Sequence, residues 1–151
     1  FERFKALAGE WSGAGLDGNS MPDTNVSYTI TAGGNAVEEL LFAGTSHEMR
    51  TLYVRDGDDV VLVHFCASGN HPKMRARDVG DGRVVFDFDG AINFDPAKAG
   101  HMHDASFTFQ SPNELSTRWQ FWDGGKPSEH VANLHLKRVA TEPMELVDPP
   151  R

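Results

Sequence analysis

Hydrophobic and polar residues alternate along several segments of the chain, and the alternation is clearest over residues 101–110. One side of this segment carries His101, His103, Ala105, Phe107 and Phe109, and the other carries Met102, Asp104, Ser106, Thr108 and Gln110. A period of two residues is typical of a strand with one buried face. The segment is therefore predicted to be a strand that directs His101 and His103 inward.

Turn signals rich in Gly, Asn, Asp and Pro divide the chain into about ten such segments, at the short, regular spacing typical of an antiparallel barrel or sandwich. The predicted strands span residues 9–15, 25–31, 36–43, 47–55, 59–66, 73–79, 83–89, 101–110, 114–122 and 130–138. Residues 1–7 are predicted to be a helix that plugs or caps one end, because Phe1, Phe4 and Leu7 lie about one turn apart. The sequence thus predicts an all-β antiparallel barrel over residues 1–139 and a C-terminal extension over residues 140–151.

Composition narrows the range of partners. With 151 residues the chain is long enough for one domain. Its net charge of -8 repels phosphate backbones and anionic lipids, so we expect neither nucleic acid nor a membrane as a partner. The longest apolar runs, such as residues 60–65, are too short to span a bilayer. A lone cysteine, Cys66, permits no internal disulfide.

The chain begins at Phe1 rather than at a methionine. We therefore expect that a start or leader segment has been removed, and we predict a soluble protein that is either cytoplasmic or exported. The oligomeric state is left open by the sequence.

The opening Gly9-Glu10-Trp11 and the terminal Arg138 resemble features of the calycin superfamily, which includes lipocalins and fatty-acid-binding proteins. In that superfamily the tryptophan of the first strand packs across the closed end of the barrel, beneath an arginine near the end of the last strand. The resemblance implies that Trp11 and Arg138 form a structural pair held by a cation–π contact.

A second resemblance covers more of the chain. Three segments are similar to a bacterial lipocalin-like family of unknown function: His64-Phe65-Cys66, Gly69-Asn70-His71-Pro72-Lys73-Met74 and His101-Met102-His103. Members of that family read His-Tyr-Cys, Gly-Asn-Gln-Pro-Arg-Met and His-Met-His, so this chain departs from the pattern at Phe65, His71 and Lys73. The resemblance implies a fold and leaves the chemistry open.

The two inward histidines of residues 101–110 are the first candidate site. Their Cα atoms are about 7 Å apart along a strand, which lets both imidazoles reach one ion. The same pattern fits imidazoles that hydrogen-bond to buried backbone, to Asp104 or to Asn93 and bind nothing. Both interpretations stay open.

His64 and Cys66 share one face of another predicted strand, and the opposite face, with Val61, Val63 and Phe65, is the more apolar one. The resemblance places His64 toward the lumen, because the interior of a ligand-binding barrel needs a few polar groups. If His64 faces inward, we expect it to converge with His101 and His103 on a transition-metal site.

Further candidates surround these histidines. Asn70 and His71 lie in a predicted loop over the barrel mouth, where they can donate hydrogen bonds to a ligand. The aromatic wall is predicted to consist of Phe107, Phe109, Trp119 and Phe121, and His130 shares the apolar face of the last strand. Glu38 and Glu39 each share a face with apolar residues, so neither can be placed.

No nucleophile elbow, phosphate-binding loop, dinucleotide fingerprint or paired-cysteine zinc motif is present in the sequence. We therefore expect the barrel to bind a small, largely apolar molecule in its lumen, oriented by the inward histidines. One alternative is a haem- or metal-binding protein, or a small enzyme, that uses the same histidines. In similar-looking haem-binding barrels a single histidine holds the iron. The other alternative is a barrel without a ligand that presents an apolar patch near Trp122.

Overall fold

The computed structural model describes residues 1–15 and 24–140. The elements are α1 (Glu2–Lys5), β1 (Gly9–Gly15), β2 (Thr24–Thr31), a 3₁₀ turn (Ala32–Gly34), β3 (Ala36–Leu41), β4 (Met49–Asp56), β5 (Asp59–Phe65), β6 (His71–Gly80), β7 (Arg83–Ile92), β8 (His101–Ser111), β9 (Glu114–Asp123) and β10 (Lys126–Arg138). Each predicted strand is present, with boundaries that differ by a few residues. The predicted C-terminal extension lies, apart from residue 140, outside the described residues.

The ten strands form one closed antiparallel barrel in which every strand pairs with its neighbours in the chain, and β1 pairs with β10. This confirms the predicted all-β barrel with a short N-terminal helix. We call the end that carries α1 the plugged end. The opposite, distal end is where β5 ends at Phe65 and where β6 and β8 begin at His71 and His101. The described residues contain no helix that is both long and apolar enough to cross a bilayer.

Trp11 and Arg138 close the plugged end. They are direct partners across the β1–β10 pairing, and the guanidinium carbon of Arg138 lies 4.4 Å from the centre of the Trp11 ring. The Trp11 indole donates a hydrogen bond to the carbonyl of Leu7 at 2.8 Å, while Arg138 donates to the carbonyls of Ala8 and Ala6. The expected cation–π pair is confirmed, and it also ties the first and last strands to the helix.

Phe4 is the residue of α1 that lies in the hydrophobic core. Its ring stacks on Tyr53 with centroids 4.7 Å apart, and it meets Phe86, Phe107 and Phe109 edge to face, each at 5.6 Å. Aromatic rings at these separations gain from both burial and quadrupole geometry. The helix is therefore a plug with an aromatic tip.

Candidate functional site

Four side chains form a row across four adjacent strands of the barrel. Tyr28 on β2 stands opposite Glu39 on β3, Glu39 stands opposite Thr51 on β4, and Thr51 stands opposite His64 on β5. Directly opposed residues of antiparallel strands face the same side of the sheet. All four are almost completely buried, so the row lies on the inner face.

Glu39 is the acceptor at the centre of this row. Its Oε2 atom accepts hydrogen bonds from the hydroxyls of Tyr28 at 2.7 Å and Tyr53 at 3.0 Å, and its Oε1 atom accepts one from Thr51 at 3.0 Å. Burial raises the pKa of Glu39 above its usual value, and the three hydroxyl donors oppose that rise. Burial and the nearby carboxylate raise the pKa of both tyrosines well above their usual range.

His64 ends the row, and its contacts fix which ring nitrogen carries the proton. Nδ1 lies 2.9 Å from the hydroxyl oxygen of Thr51, whose single proton is donated to Glu39. With Glu39 ionised, Nδ1 is therefore the donor to Thr51, which leaves Nε2 without a proton. That Nε2 atom is buried and has no hydrogen-bond partner among residues 1–15 and 24–140.

The surroundings of His64 keep it neutral. Its ring centre lies 5.0 Å from that of Trp119, and burial, with a smaller contribution from His71, lowers the pKa of His64 to about 4. The ambiguous facing of β5 is thereby settled: His64 faces inward, whereas Phe65 is exposed. A neutral imidazole with a free Nε2 lone pair accepts a hydrogen bond from whatever lies against it.

The β5–β6 loop at the distal end holds two further unpaired atoms. Asn70 donates to the carbonyl of Gly100 at 2.8 Å, and Asn93 donates in the other direction to the carbonyl of Gly69 at 2.9 Å. These two bonds clamp the loop to the segment that precedes β8. The Oδ1 atom of Asn70 and the Nδ1 atom of His71 are buried and have no partner in the part of the chain that the structure describes.

His101 and His103 form a second, separate group. Nδ1 of His101 lies 2.8 Å from the carbonyl oxygen of Ala99, and Nε2 of His101 lies 2.9 Å from Nδ1 of His103. A carbonyl can only accept, so His101 in its neutral form donates from Nδ1 and accepts from His103 at Nε2. Nδ1 of His103 therefore carries the proton of that ring, and the lone pair of His103 lies on Nε2.

The ring of His103 is sandwiched between two aromatic rings. It stacks on Trp122 with centroids 3.7 Å apart and on Phe88 at 4.4 Å. Burial, and then the neighbouring His101, lower the pKa of His103 to about 4. His103 is only half-buried, whereas His101 is buried, because the β8–β9 register shifts between Met102 and Asp104 and interrupts the simple alternation.

The expected metal site is not formed. Among residues 1–15 and 24–140, no three His, Cys, Asp or Glu side chains are grouped so that they could hold a metal ion. The physical reason is that the rings are packed in separate groups, His64 against Trp119 and His103 between Trp122 and Phe88, and that His101 has no free ring nitrogen. Thr51 takes Nδ1 of His64, while His101 spends both nitrogens on Ala99 and His103.

The remaining predicted site residues are divided between the two halves of the barrel. Phe107 and Phe109 pack against the plug, and Phe107 also contacts Trp119. At the distal end, Phe121 lies over Gly100 and meets the exposed His130 edge to face at 5.6 Å. Only Trp119, of the predicted wall, contacts a histidine of the inward-facing row.

The sequence interpretation missed three residues of the site, Tyr28, Thr51 and Tyr53, and left Glu39 unplaced. The turns carried a signal that could have found them. Tyr28 and Glu39 are equidistant from the turn at Gly33-Gly34, and Thr51 and His64 are equidistant from the turn at Gly57-Asp58. Extending each hairpin outward from its turn would have aligned the row.

Comparisons with known proteins do not identify an activity for this chain, so the function is argued from the geometry of the site. No protein-family model matches the chain, and no curated protein matches it. Among solved structures, it is similar to a protein of unknown function from the DUF3598 family of Nostoc punctiforme, with 10% sequence identity and a TM-score of 0.48. The match covers 90% of this chain and 49% of that one, so the chain spans about half the length of that structure.

Proposed function

We propose that the distal half of the barrel binds a small, largely apolar molecule beside Trp119 and His64. The observation that carries this proposal is the buried, unpartnered Nε2 atom of His64. Leaving a buried polar atom unpaired costs about 1–3 kcal/mol, which a bound molecule can recover. The nearby ring of Trp119 supplies apolar contact area.

The distal loop supports the same location. Asn70, in the loop that follows β5, presents a further buried polar atom that has no partner among the described residues, whereas the ring of His71 packs against the exposed ring of Phe65 with centroids 5.1 Å apart. Unpaired polar atoms are few in native proteins, and each calls for an explanation such as a bound molecule or an ordered water. Two such atoms at one end, on His64 and Asn70, favour a binding site there over isolated packing defects.

The experiment is a titration with 1-aminoanthracene, a neutral aromatic probe whose emission shifts to the blue when it leaves water. We expect saturable binding of one probe per chain. His64→Leu should weaken binding about 5- to 10-fold, the equivalent of one hydrogen bond. The matched control is His135→Leu, since His135 is half-buried on the outer face, beside Ser116 and Glu114. Absence of saturable binding, or equal affinity in the His64 variant and the wild type, would contradict the proposal.

A second candidate function, ligation of a haem iron by one histidine, is favoured by a different observation. His103 is neutral, its Nδ1 proton is held by His101, and its Nε2 atom has no hydrogen bond to any residue that the structure describes. A neutral imidazole whose other nitrogen is fixed in this way is the common form of a metal-ligating histidine. A bound haem would supply redox and gas-binding chemistry, and His103 would hold its iron.

The test of this candidate is the visible spectrum after hemin is added to the purified protein. Ligation by His103 predicts a sharp Soret band that His103→Ala abolishes and that the exposed-residue control His47→Ala preserves. A spectrum that is the same in the wild type and in His103→Ala would reject it.

A further inference from the structure

We propose that Glu39 is a specificity-determining positioning residue: acting through Thr51, it holds His64 as the Nδ1–H tautomer, so that the site selects apolar ligands that carry an N–H or O–H donor. This inference rests on the proposed function, because it names the class of ligand that the same site takes. Glu39 does not touch the ligand itself. It acts on the lumen through the direction of two hydrogen bonds, one from Thr51 to Glu39 and one from His64 to Thr51.

The direction of these bonds follows from what each group can donate. We take Glu39 as ionised, with three hydroxyl donors that oppose the effect of its burial on the pKa. An ionised carboxylate has no proton, so Glu39 accepts from Tyr28, Tyr53 and Thr51. Thr51 has one proton and gives it to Glu39, so its remaining lone pairs can only accept from His64. The chain of donors therefore runs from His64 toward Glu39, and it leaves a lone pair on Nε2 at the inner end.

The row is built to hold this direction. Its members are opposed across consecutive strand pairs, so the closed sheet fixes their spacing. Glu39, Thr51 and His64 are all nearly inaccessible to solvent, which leaves no bulk water to exchange partners with them. Each group in this buried chain of hydrogen bonds has a set number of protons. Fixing the donor of the bond at one end therefore fixes the donor of every following bond.

Placing a donor group at position 39 should reverse the direction of both hydrogen bonds and turn Nε2 of His64 from an acceptor into a donor. In Glu39→Gln the amide oxygen belongs on the side of the two tyrosine hydroxyls, where two donors point, and the amide NH₂ group then faces Thr51. Thr51 must accept from that NH₂ group and donate to Nδ1 of His64. The proton of the imidazole moves to Nε2, which becomes a donor and now selects ligands that carry an acceptor.

The experiment has two readouts at pH 8. The first is the tautomer of His64, read from the ¹⁵N shifts of its ring nitrogens in the apo protein. The second is the affinity for three probes of similar shape: 1-aminoanthracene as donor, 9-anthraldehyde as acceptor and 9-methylanthracene as neither. In the wild type we expect the Nδ1–H tautomer and binding of 1-aminoanthracene about 5- to 10-fold tighter than binding of 9-methylanthracene.

Variants separate the effect of the relay, the hydrogen-bond chain from His64 through Thr51 to Glu39, from general damage to the barrel. Glu39→Gln should show the Nε2–H tautomer and prefer 9-anthraldehyde by a similar factor. Thr51→Val breaks the relay and should abolish both preferences, and Thr51→Ser should restore the wild-type pattern. If Glu39→Gln does not fold, the two Thr51 variants and the wild-type tautomer decide the question.

Two kinds of failure can be told apart. An Nε2–H tautomer in the wild type, or a tautomer and probe preference unchanged by both Glu39→Gln and Thr51→Val, would overturn the relay while the proposed binding stands. If none of the three probes binds the wild type, the proposed function fails, and the ligand selection inferred here falls with it.

Discussion

The hydroxyl oxygen of Thr51 lies 2.9 Å from Nδ1 of His64, directly across the β4–β5 pairing. Because that hydroxyl gives its proton to Glu39, the contact determines that the free nitrogen of His64 is an acceptor. One threonine thus links a buried carboxylate to a buried imidazole. The stability of the protein and the direction of these interior hydrogen bonds therefore depend on pH through the same two titratable residues, Glu39 and His64.

The first prediction concerns acid stability. Burial lowers the pKa of His64 from 6.5 to about 4, so the unfolded chain takes up a proton at a higher pH than the folded protein does. Stability is therefore full above pH 6.5 and is lost as the pH falls toward 4, by roughly 3 kcal/mol from this residue. Urea unfolding at pH 7.5 and pH 4.5 measures the loss. His64→Leu should reduce it, and His135→Leu should leave it unchanged.

The second prediction concerns Glu39. Tyr28→Phe removes a hydrogen bond to the ionised carboxylate, so the pKa of Glu39, already raised by burial, should rise further. Tyr53→Phe should act in the same direction with a smaller effect, because its bond is 3.0 Å against 2.7 Å for Tyr28. Titration of the side-chain carboxyl carbon of Glu39 by ¹³C NMR measures the change. A lower pKa in either variant would show that the tyrosines are not its donors.

The strands could be predicted from the sequence because their signals are local. Alternation and turn residues specify where a strand begins and ends, and the resemblance supplied the pairing of Trp11 with Arg138. The facing of Phe107 was also clear, because Ala105 and Phe107 are buried as the alternation requires. Neither the strand boundaries nor the facing of Phe107 needs the alignment of one strand with another.

The site could not be predicted in full because it depends on register and on irregularity. Glu38 and Glu39 are adjacent and equally compatible with the interior by composition. The structure pairs Glu38 with Arg50 at 2.6 Å on the outside and places Glu39 among hydroxyls inside. At His103, the β-bulge breaks the alternation that predicted full burial. A bulge adds a residue to one strand alone, and periodicity in a single sequence does not reveal it.

The third prediction tests the closure of the barrel. Trp11→Ala should cost about 3–5 kcal/mol, since it deletes a buried indole and its bond to Leu7. Arg138→Lys keeps the charge but loses the planar fork that bonds Ala6 and Ala8, so we expect a smaller loss of about 1–2 kcal/mol. Both values come from equilibrium urea unfolding. A Trp11→Ala protein as stable as the wild type would contradict this account of the plugged end.

The fourth prediction tests the helix plug. Phe4→Ala should cost about 3–5 kcal/mol, because the ring is buried among Tyr53, Phe86 and Phe107. The matched control is Phe65→Ala, whose ring is 40% exposed, and it should cost well under half as much. Similar losses in the two variants would mean that the helix is not part of the core.

The last prediction concerns Gly100, in the segment that joins β7 to β8. A Cβ atom added there would lie 2.5 Å from Cζ of Phe121, a distance that forces the ring or the backbone to move. The backbone is also held, because the carbonyl of Gly100 accepts the hydrogen bond from Asn70. Gly100→Ala should therefore destabilise the protein by about 1–3 kcal/mol, as overpacking does. If the clash with the ring is the cause, Gly100→Ala combined with Phe121→Leu should recover part of that loss, and the coupling energy from the double-mutant cycle should be favourable. Simple additivity of the two single losses would place the strain in the backbone instead, and the clamp made by Asn70 would then be the feature that Gly100 protects.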